Sequence, residues 1–360
     1  MESTTEFSIR LEKIEAVLAK YLPEKVSDEW KSLSFGPIDS CINEKHISNL
    51  LDPCRNLVLL GGKRWRPLLL VLCAEMANKE IPGNEKSIRL ENAYNLTPLV
   101  EFAHTASLIH DDIEDSSDMR RGKPATHITY GMDVALNAGS WLYFQATTCI
   151  KTLKVSEKEK LEFYELFLEE LRRLHLGQAM DIFWHRNPEI IPSEDEYKAM
   201  VRNKTGTLAR LAVELGILAG GADIKTAERA GKIAEDIGTG FQILDDVTNL
   251  TKGNPGKKRG DDVVEGKKSL PVIYHLESNP NDKERLSELF SQAKRDGIDS
   301  PAVEEVIEII SSSGAIEKAR KTGDKVISEK TIGLASLFTD NHCQAGNLII
   351  DLFGAIQKKA

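Results

Sequence analysis

Long apolar runs are missing from this sequence. No window reaches about 18 uncharged apolar residues, so no membrane span is expected. Cysteine is sparse: Cys41, Cys54, Cys73, Cys149 and Cys343 are odd in number, widely spaced and without a C-x-x-C pair. A disulfide scaffold is therefore not expected, and the thiols read as reduced groups of a cytoplasmic protein. Positive charge is not in excess. The formal net charge is −9, which argues against nucleic acid or a basic membrane patch as partner. The amino terminus, MESTTEFSIRLEKIEAVLAKYL, carries acids early and no apolar segment of signal-peptide type. The carboxyl terminus, AIQKKA, has no prenylation box. Alternating polar and β-branched runs bounded by hairpin turns are scarce too.

What the chain does have is helical periodicity. RLEKIEAVLAKYL places Leu11, Ile14, Val17, Leu18 and Leu22 on one stripe. RPLLLVLCAEMA (66–77), TPLVEFAHTASLIHDD (97–112) and MDVALNAGSWLYFQATTCI (132–150) are apolar nearly all round, as buried helices are. The pattern continues to the end, and the fold class expected is all-α. Breaks rich in Pro, Gly, Asn and Asp fall at 81–87, 186–195, 220–223, 251–262 and 277–282. None is a long linker, so one domain over residues 1–360 is expected. No fixed-period repeat suggests a solenoid.

Two acid clusters carry the chemistry. Asp111 and Asp115 stand four apart at the end of an apolar helix, with Asp112 beside them. Asp245, Asp246 and Asn249 repeat the arrangement after a second apolar helix. One such cluster is an ordinary solvated helix face, but two suggest an electronegative rim that needs cations between its walls. The donors are all oxygen, which suits Mg²⁺ shared with substrate phosphates. No Cys/His set of suitable spacing accompanies them, so zinc is not expected. Basic residues complete the pattern: Lys63 and Arg66 in GGKRWRP (61–67), Arg120 and Arg121 just after the first cluster, then Lys204, Lys258 and Lys267. Singly each is a surface charge. Beside metal-binding acids they suit a diphosphate.

GGKRWRP, HDDIEDSSDMRRGKPATH, GQAMDIFW, KTG, FQILDDVTN and GDDVVEGKKSLPVI, in that order, resemble the motifs of the trans-isoprenyl diphosphate synthases over about 55–330. The wording is most similar to eukaryotic-type geranylgeranyl diphosphate synthases. The resemblance implies antiparallel helices around a central cavity (the isoprenoid synthase fold), a homodimer, and head-to-tail condensation of an allylic diphosphate with isopentenyl diphosphate, releasing pyrophosphate. It implies that Asp111, Asp112, Asp115, Asp245, Asp246 and Asn249 hold three Mg²⁺, with Asp111, Asp115 and Asp245 as direct ligands. Arg120, Lys204, Lys258 and Lys267 would complete the allylic pocket. Gly62, Lys63, Arg66, His104 and Arg121 would form the isopentenyl diphosphate site. Thr205 and Gln242 would turn oxygen atoms toward the developing carbocation. Two departures from the family pattern stand out: Asn249 in place of Asp, and Ser140 where many bacterial relatives have Asp.

Product length is expected to follow from residues above and below the acids. Ala103, Ala106 and Ser107 are small and would leave a tunnel open, and Tyr143 and Phe144 are expected to form its aromatic floor. In the resembling family an aromatic in the first turn gives a fifteen-carbon product, so its absence predicts twenty carbons or more. Two alternatives are weighed. A class I terpene cyclase would not need the second basic site. A non-catalytic regulatory subunit would lack acids from one cluster.

Overall fold

A computed structural model describes residues 2–78, 81, 83–253, 258–338 and 344–359. The all-α expectation holds: the described residues form helices throughout, apart from a two-stranded ladder of two residues a side, Met119–Arg120 (β1) with Lys123–Pro124 (β2). No helix among them is long and apolar enough to cross a membrane. Packing divides the chain into two compact units. One comprises Met1–Leu171, Arg210–Gly231 and Ala335–Asp351; the other Arg172–Ala209, Lys232–Leu334 and Leu352–Ala360. Each is assembled from three separate stretches, so neither corresponds to a run of sequence that a linker would bound.

In the first unit, helix α1 (Glu2–Tyr21) buries Ile14 and Leu18, and Leu22 follows just beyond it. Leu11 and Val17 of the expected stripe are only half covered. Helix α2 (Asp28–Phe35) is followed by α3 (Glu44–Leu59), whose start is closed reciprocally by Asn43 and His46. Helix α4 (Trp65–Ala77) is buried from Trp65 to Ala74, as its unbroken apolar run requires. Helix α5 (Gly83–Asn95) starts inside the break expected at 81–87; Pro82 of that break lies outside the described residues. Helix α6 (Thr97–Glu114) carries the first acid cluster at its end and packs on α8 (Met132–Ala146), with the short α7 (Thr126–Tyr130) between them in sequence.

Helix α9 (Glu157–Arg186) ends and α10 (Glu194–Val201) begins at the break expected over 186–195, and Ser193 with Glu196 caps the new start. Helices α11 (Thr207–Ala219) and α12 (Ile224–Thr251) flank the expected break at 220–223. The second unit packs Tyr197, Val201, Ile243, Val247 and Leu250 against Leu270, Phe290, Val306 and Ile310. These later residues come from α14 (Leu270–Ser278), α15 (Lys283–Asp296) and α16 (Pro301–Ser312), which follow the short α13 (Asp261–Glu265). Part of the break expected over 251–262, residues 254–257, lies outside the described residues. So does Cys343; Cys41, Cys54, Cys73 and Cys149 are free thiols.

The core of the first unit holds an unusual charge group. Arg210 Nε stands 2.9 Å from Glu214 Oε1 and 3.2 Å from Glu170 Oε1, and both acids are almost wholly covered. Burial pushes the Glu214 carboxyl up from 4.5 to about 7, Arg210 opposing and Glu170 adding to the shift. The folded-state value lies above the unfolded one. This contribution to stability is therefore complete below the unfolded value and is lost as pH rises through about 7. Glu214→Gln, which cannot ionise, escapes that loss. Relative to the parent, its unfolding free energy in urea should gain roughly 2–3 kcal/mol between about pH 5 and pH 8. A difference that does not change with pH would show that Glu214 is ionised in the fold.

Candidate active site

Helix α6 ends in Asp111, Asp112 and Glu114, and Asp115 is its C-cap, donating its backbone N–H to the Asp111 carbonyl at 2.8 Å. A helix C-terminus already carries partial negative charge, and the last turn contains no basic residue to offset it. Ser116 then turns the chain at φ +55°. The ladder β1–β2 follows, closed by Arg121 and Gly122 at φ +53° and +74°, the positive pair that a type I′ hairpin turn requires.

That tight turn sends the two arginines to different places. Arg120 folds back on the acids: its Nε lies 2.8 Å from Asp112 Oδ1, and a second nitrogen 3.5 Å from Asp111 Oδ2. Asp112 is completely buried, so its carboxylate is spent holding Arg120. Asp111 and Asp115 are partly exposed. Arg121 lies over Gly62, where a Cβ would stand 3.1 Å from its guanidinium, and it donates to the Leu57 carbonyl at 3.4 Å. A side chain at position 62 would push that guanidinium away.

Arg66, in the first turn of α4, stacks over Trp65 at 4.4 Å and lies 3.3 Å from His104 Nε2. Burial, then Arg66 and Arg121, push the imidazole down to about 4, while Glu101 opposes the shift. His104 is therefore neutral at pH 7 and can accept from Arg66. The structure thus gathers Gly62, Arg66, His104 and Arg121, with Lys63 exposed on the adjoining turn. Two arginines flank one neutral ring, a grip suited to an anion.

The chain-length candidates also lie in this unit. Ala103 and Ala106 are fully buried, and Ser107 is half-buried, its hydroxyl bonded to the His104 carbonyl at 2.8 Å. Tyr143 is buried and stacks on His110 at 5.6 Å. Phe144 behaves differently from the expectation. Its ring is 73% exposed, because adjacent positions on α8 point about 100° apart. Ser140, the second departure, sits 3.3 Å from His110 Nε2.

The second unit holds the other candidates. Lys204 and Thr205 lie in a single π-helical turn, Arg202–Gly206, between α10 and α11. Gly177 of α9 lets that turn come close, since a Cβ there would stand 2.3 Å from the Lys204 backbone nitrogen. Lys204 Nζ reaches Asp181 at 2.6 Å, and His185 stands 3.0 Å from the other Asp181 oxygen. Burial opposes ionisation of Asp181, yet Lys204 and His185 together hold its pKa far below the usual carboxylate range. Thr205 donates to the Gln242 side-chain oxygen at 2.9 Å, and Gln242 donates to Asp246 at 2.9 Å. Tyr197 donates to the other Asp246 oxygen at 2.6 Å. Having given its proton to Gln242, the Thr205 oxygen keeps lone pairs for a cation.

Asp246 is buried like Asp112, and burial with the neighbouring Asp262 pushes its carboxyl up to about 7. Asn249 stands beside Asp262 in the same unit. It is fully buried, and its side-chain oxygen accepts the Asp262 backbone N–H at 3.2 Å, pinning the start of α13. A third carboxylate beside Asp246 and Asp262 would repel both, which is a physical reason for an uncharged amide there. Lys267 pairs with Asp262 at 3.4 Å and Glu265 at 2.5 Å. Lys258 is not gathered with the others. It is exposed and stands 3.7 Å from Asp299.

Sequence reasoning assigned no role to Arg64, Glu101, Asp181 or Tyr197. Glu101 and Asp181 each left a signal: a lone acid in an apolar helix must find a cation. Among the described residues no three acids or imidazoles converge into a closed cage. The all-oxygen donors Asp111 and Asp115 suit Mg²⁺ by type, since that ion takes one or two carboxylates and completes its shell with phosphate and water.

A family model described as polyprenyl synthetase matches residues 47–310. The geranylgeranyl pyrophosphate synthase dpmpD of Macrophomina phaseolina is 32% identical over 315 residues, 87% of this chain and 90% of that protein. A geranylgeranyl pyrophosphate synthase of Neocamarosporium betae is 32% identical over 91% of each chain. The crystal structure of geranylgeranyl pyrophosphate synthetase from Pyrococcus horikoshii shares the fold at a TM-score of 0.81, with 24% identity, over 100% of this chain and 99% of that one. A Corynebacterium glutamicum geranylgeranyl pyrophosphate synthase, solved with isoprenyl diphosphate and magnesium, does so at 0.79 with 23% identity, over 97% and 98%. With matches of that extent on both sides, this chain belongs to the polyprenyl synthetase family.

Proposed function

We propose that the chain extends an allylic diphosphate with isopentenyl diphosphate, head to tail, to make geranylgeranyl diphosphate and release pyrophosphate. The observation that carries this reading is the grip of Gly62, Lys63, Arg66 and Arg121 around a neutral His104, in the same unit as the first acid cluster. An enzyme that only ionises one diphosphate needs the acids alone; a condensation needs a second anion site. The relatives that cover most of the chain are named for the twenty-carbon product.

Asp111, Asp115 and Asp245 would hold Mg²⁺, taken as three ions, which when bound stabilises the charge growing on the departing pyrophosphate. Asp112 and Asp246 act one layer back, fixing Arg120 and Gln242. Arg120 adds cationic charge beside the first cluster, and Lys204 and Lys267 add it in the second unit. Thr205 and Gln242 offer oxygen to the allylic cation. No imidazole base is assigned: His104 is occupied by Arg66, and the leaving pyrophosphate takes the proton. Excluding water keeps the cation from forming an alcohol.

The chain is read as one isoprenoid synthase domain that acts as a homodimer in the cytoplasm. Exposed apolar residues support self-association: Met132, Leu136 and Phe144 on α8, and Leu161, Leu168, Leu176 and Phe183 on α9. Those on α9 recur every seven or eight residues, a continuous ridge along one helix. Phe144, exposed in the single chain, belongs to this surface. Tyr143 remains the floor of the product tunnel.

Three experiments test the reading. With labelled isopentenyl diphosphate, farnesyl diphosphate and Mg²⁺, the dephosphorylated product should run as a twenty-carbon alcohol. Chelation should abolish the reaction and Mg²⁺ restore it, and Asp111→Ala should lower kcat by about 100-fold or more. Turnover of the allylic diphosphate without isopentenyl diphosphate would point to a cyclase. Ser107→Phe, assayed with dimethylallyl diphosphate, should shift the product to fifteen carbons and Tyr143→Ala should lengthen it; unchanged products in both would end the tunnel assignment. Phe144→Glu should yield monomers by sedimentation, and a variant that sediments like the parent would remove α8 from the interface.

A further inference from the structure

Arg64 occupies the left-handed region at φ +46°, ψ +24°, ordinarily the place of Gly or Asn. It is the N-cap of α4 without a side-chain cap, and its carbonyl opens the helix by accepting from Leu68 at 3.1 Å. Backbone strain of this kind persists only where the surroundings over-determine it. Here they do. The guanidinium donates through Nε to Glu15 at 2.6 Å, through one terminal nitrogen to Glu101 at 2.5 Å, and through the other to the Val58 carbonyl at 2.5 Å. Three acceptors thus come from α1, α6 and α3. The Arg64 and Glu101 side chains are each only 3% exposed.

This pivot separates the two halves of the anion grip. Gly62 and Lys63 precede it, and Arg66 follows in the first turn of α4. Glu101 also stands 3.8 Å from His104 Nδ1, and that ring contacts Arg66 through its other nitrogen. One buried carboxylate therefore touches both the pivot and the ring that Arg66 leans on.

We propose that Arg64, Glu101 and Glu15 form a clamp that presets the 62–66 turn for the diphosphate of isopentenyl diphosphate, making α1 part of that substrate's site. The three are positioning residues; none is assigned to touch substrate. Helix α1 lies outside the span matched by the family model. Its Glu15 side chain is 45% exposed, so its charge can be removed with little effect on folding. A second ion pair fastens the same helix, Arg10 to Glu75 of α4 at 2.8 Å. The clamp rests on the assignment of Lys63, Arg66 and Arg121 to isopentenyl diphosphate.

The test is steady-state kinetics on the full chain, varying isopentenyl diphosphate and geranyl diphosphate separately. Glu15→Gln should raise KM for isopentenyl diphosphate by about 5–10-fold, leaving kcat and the allylic KM within about twofold, and Glu15→Asp should recover part of the loss. Arg64→Gly keeps a residue at ease in the left-handed region and removes only the fork; it should raise the same KM by about 10-fold or more. Arg66→Ala is the control for the grip. If it raises KM while Glu15→Gln and Arg64→Gly match the parent, the clamp is refuted and the grip survives. If Arg66→Ala leaves KM unchanged, the grip assignment fails and the clamp with it. Equal increases in both KM values for Glu15→Gln would mean a general loosening of the fold, which also overturns the proposal.

Discussion

Negative charge at the end of α6 is the constraint around which the rest of the first unit is arranged. The helix terminus exposes its own carbonyls, and Asp111, Asp112, Glu114 and Asp115 are added at that end. Such a group holds together only if positive charge is brought to it. Arg120 supplies part of that charge, reaching back after the chain turns at Ser116 just beyond the acids. In the proposed reaction, bound metal ions would add to that charge.

Within both clusters the second aspartate does not act as the first does. Asp112 is buried on Arg120, and Asp246 is buried on Tyr197 and Gln242. A paired motif therefore contains one partly exposed carboxylate and one that fixes a neighbouring donor. The difference matters electrostatically. Two partly exposed carboxylates side by side would compete for the same cation, whereas one partly exposed and one buried carboxylate orient a hydrogen-bonded chain. In the second unit that chain runs from Thr205 through Gln242 to Asp246, so the hydroxyl most suited to face a carbocation is oriented by an acid two links away.

Much of this was legible in the residues. The long helices follow from apolar periodicity, and four of the breaks coincide with the helix ends at 186, 219, 251 and 278. The motif residues identify the family. What stayed hidden depends on tertiary partners. Phe144 and Tyr143 are neighbours in sequence, but only the fold shows that one ring packs on His110 while the other faces outward. Asn249 reads as a weakened ligand until its oxygen is seen on the Asp262 N–H. Lys258 reads as part of a basic cluster, but its side chain is held at the surface. The short ladder at 119–124 is too brief for any periodicity to announce.

Among the described residues, positive φ outside glycine occurs at three positions: Arg64, Ser116 and Arg121. All three border the site. Ser116 turns the chain out of the acid-bearing helix, Arg121 swings its guanidinium over Gly62, and Arg64 separates Lys63 from Arg66. Each conformation is unfavourable for its residue, and a glycine would adopt it without strain. A glycine would carry no guanidinium, however. At positions 64 and 121 the chain needs a sharp reversal and a fixed positive charge at one point, and no residue provides both without strain. At these two positions carboxylates or carbonyls hold the side chain, so the interactions that fix each cation also hold the backbone in the turn that aims it.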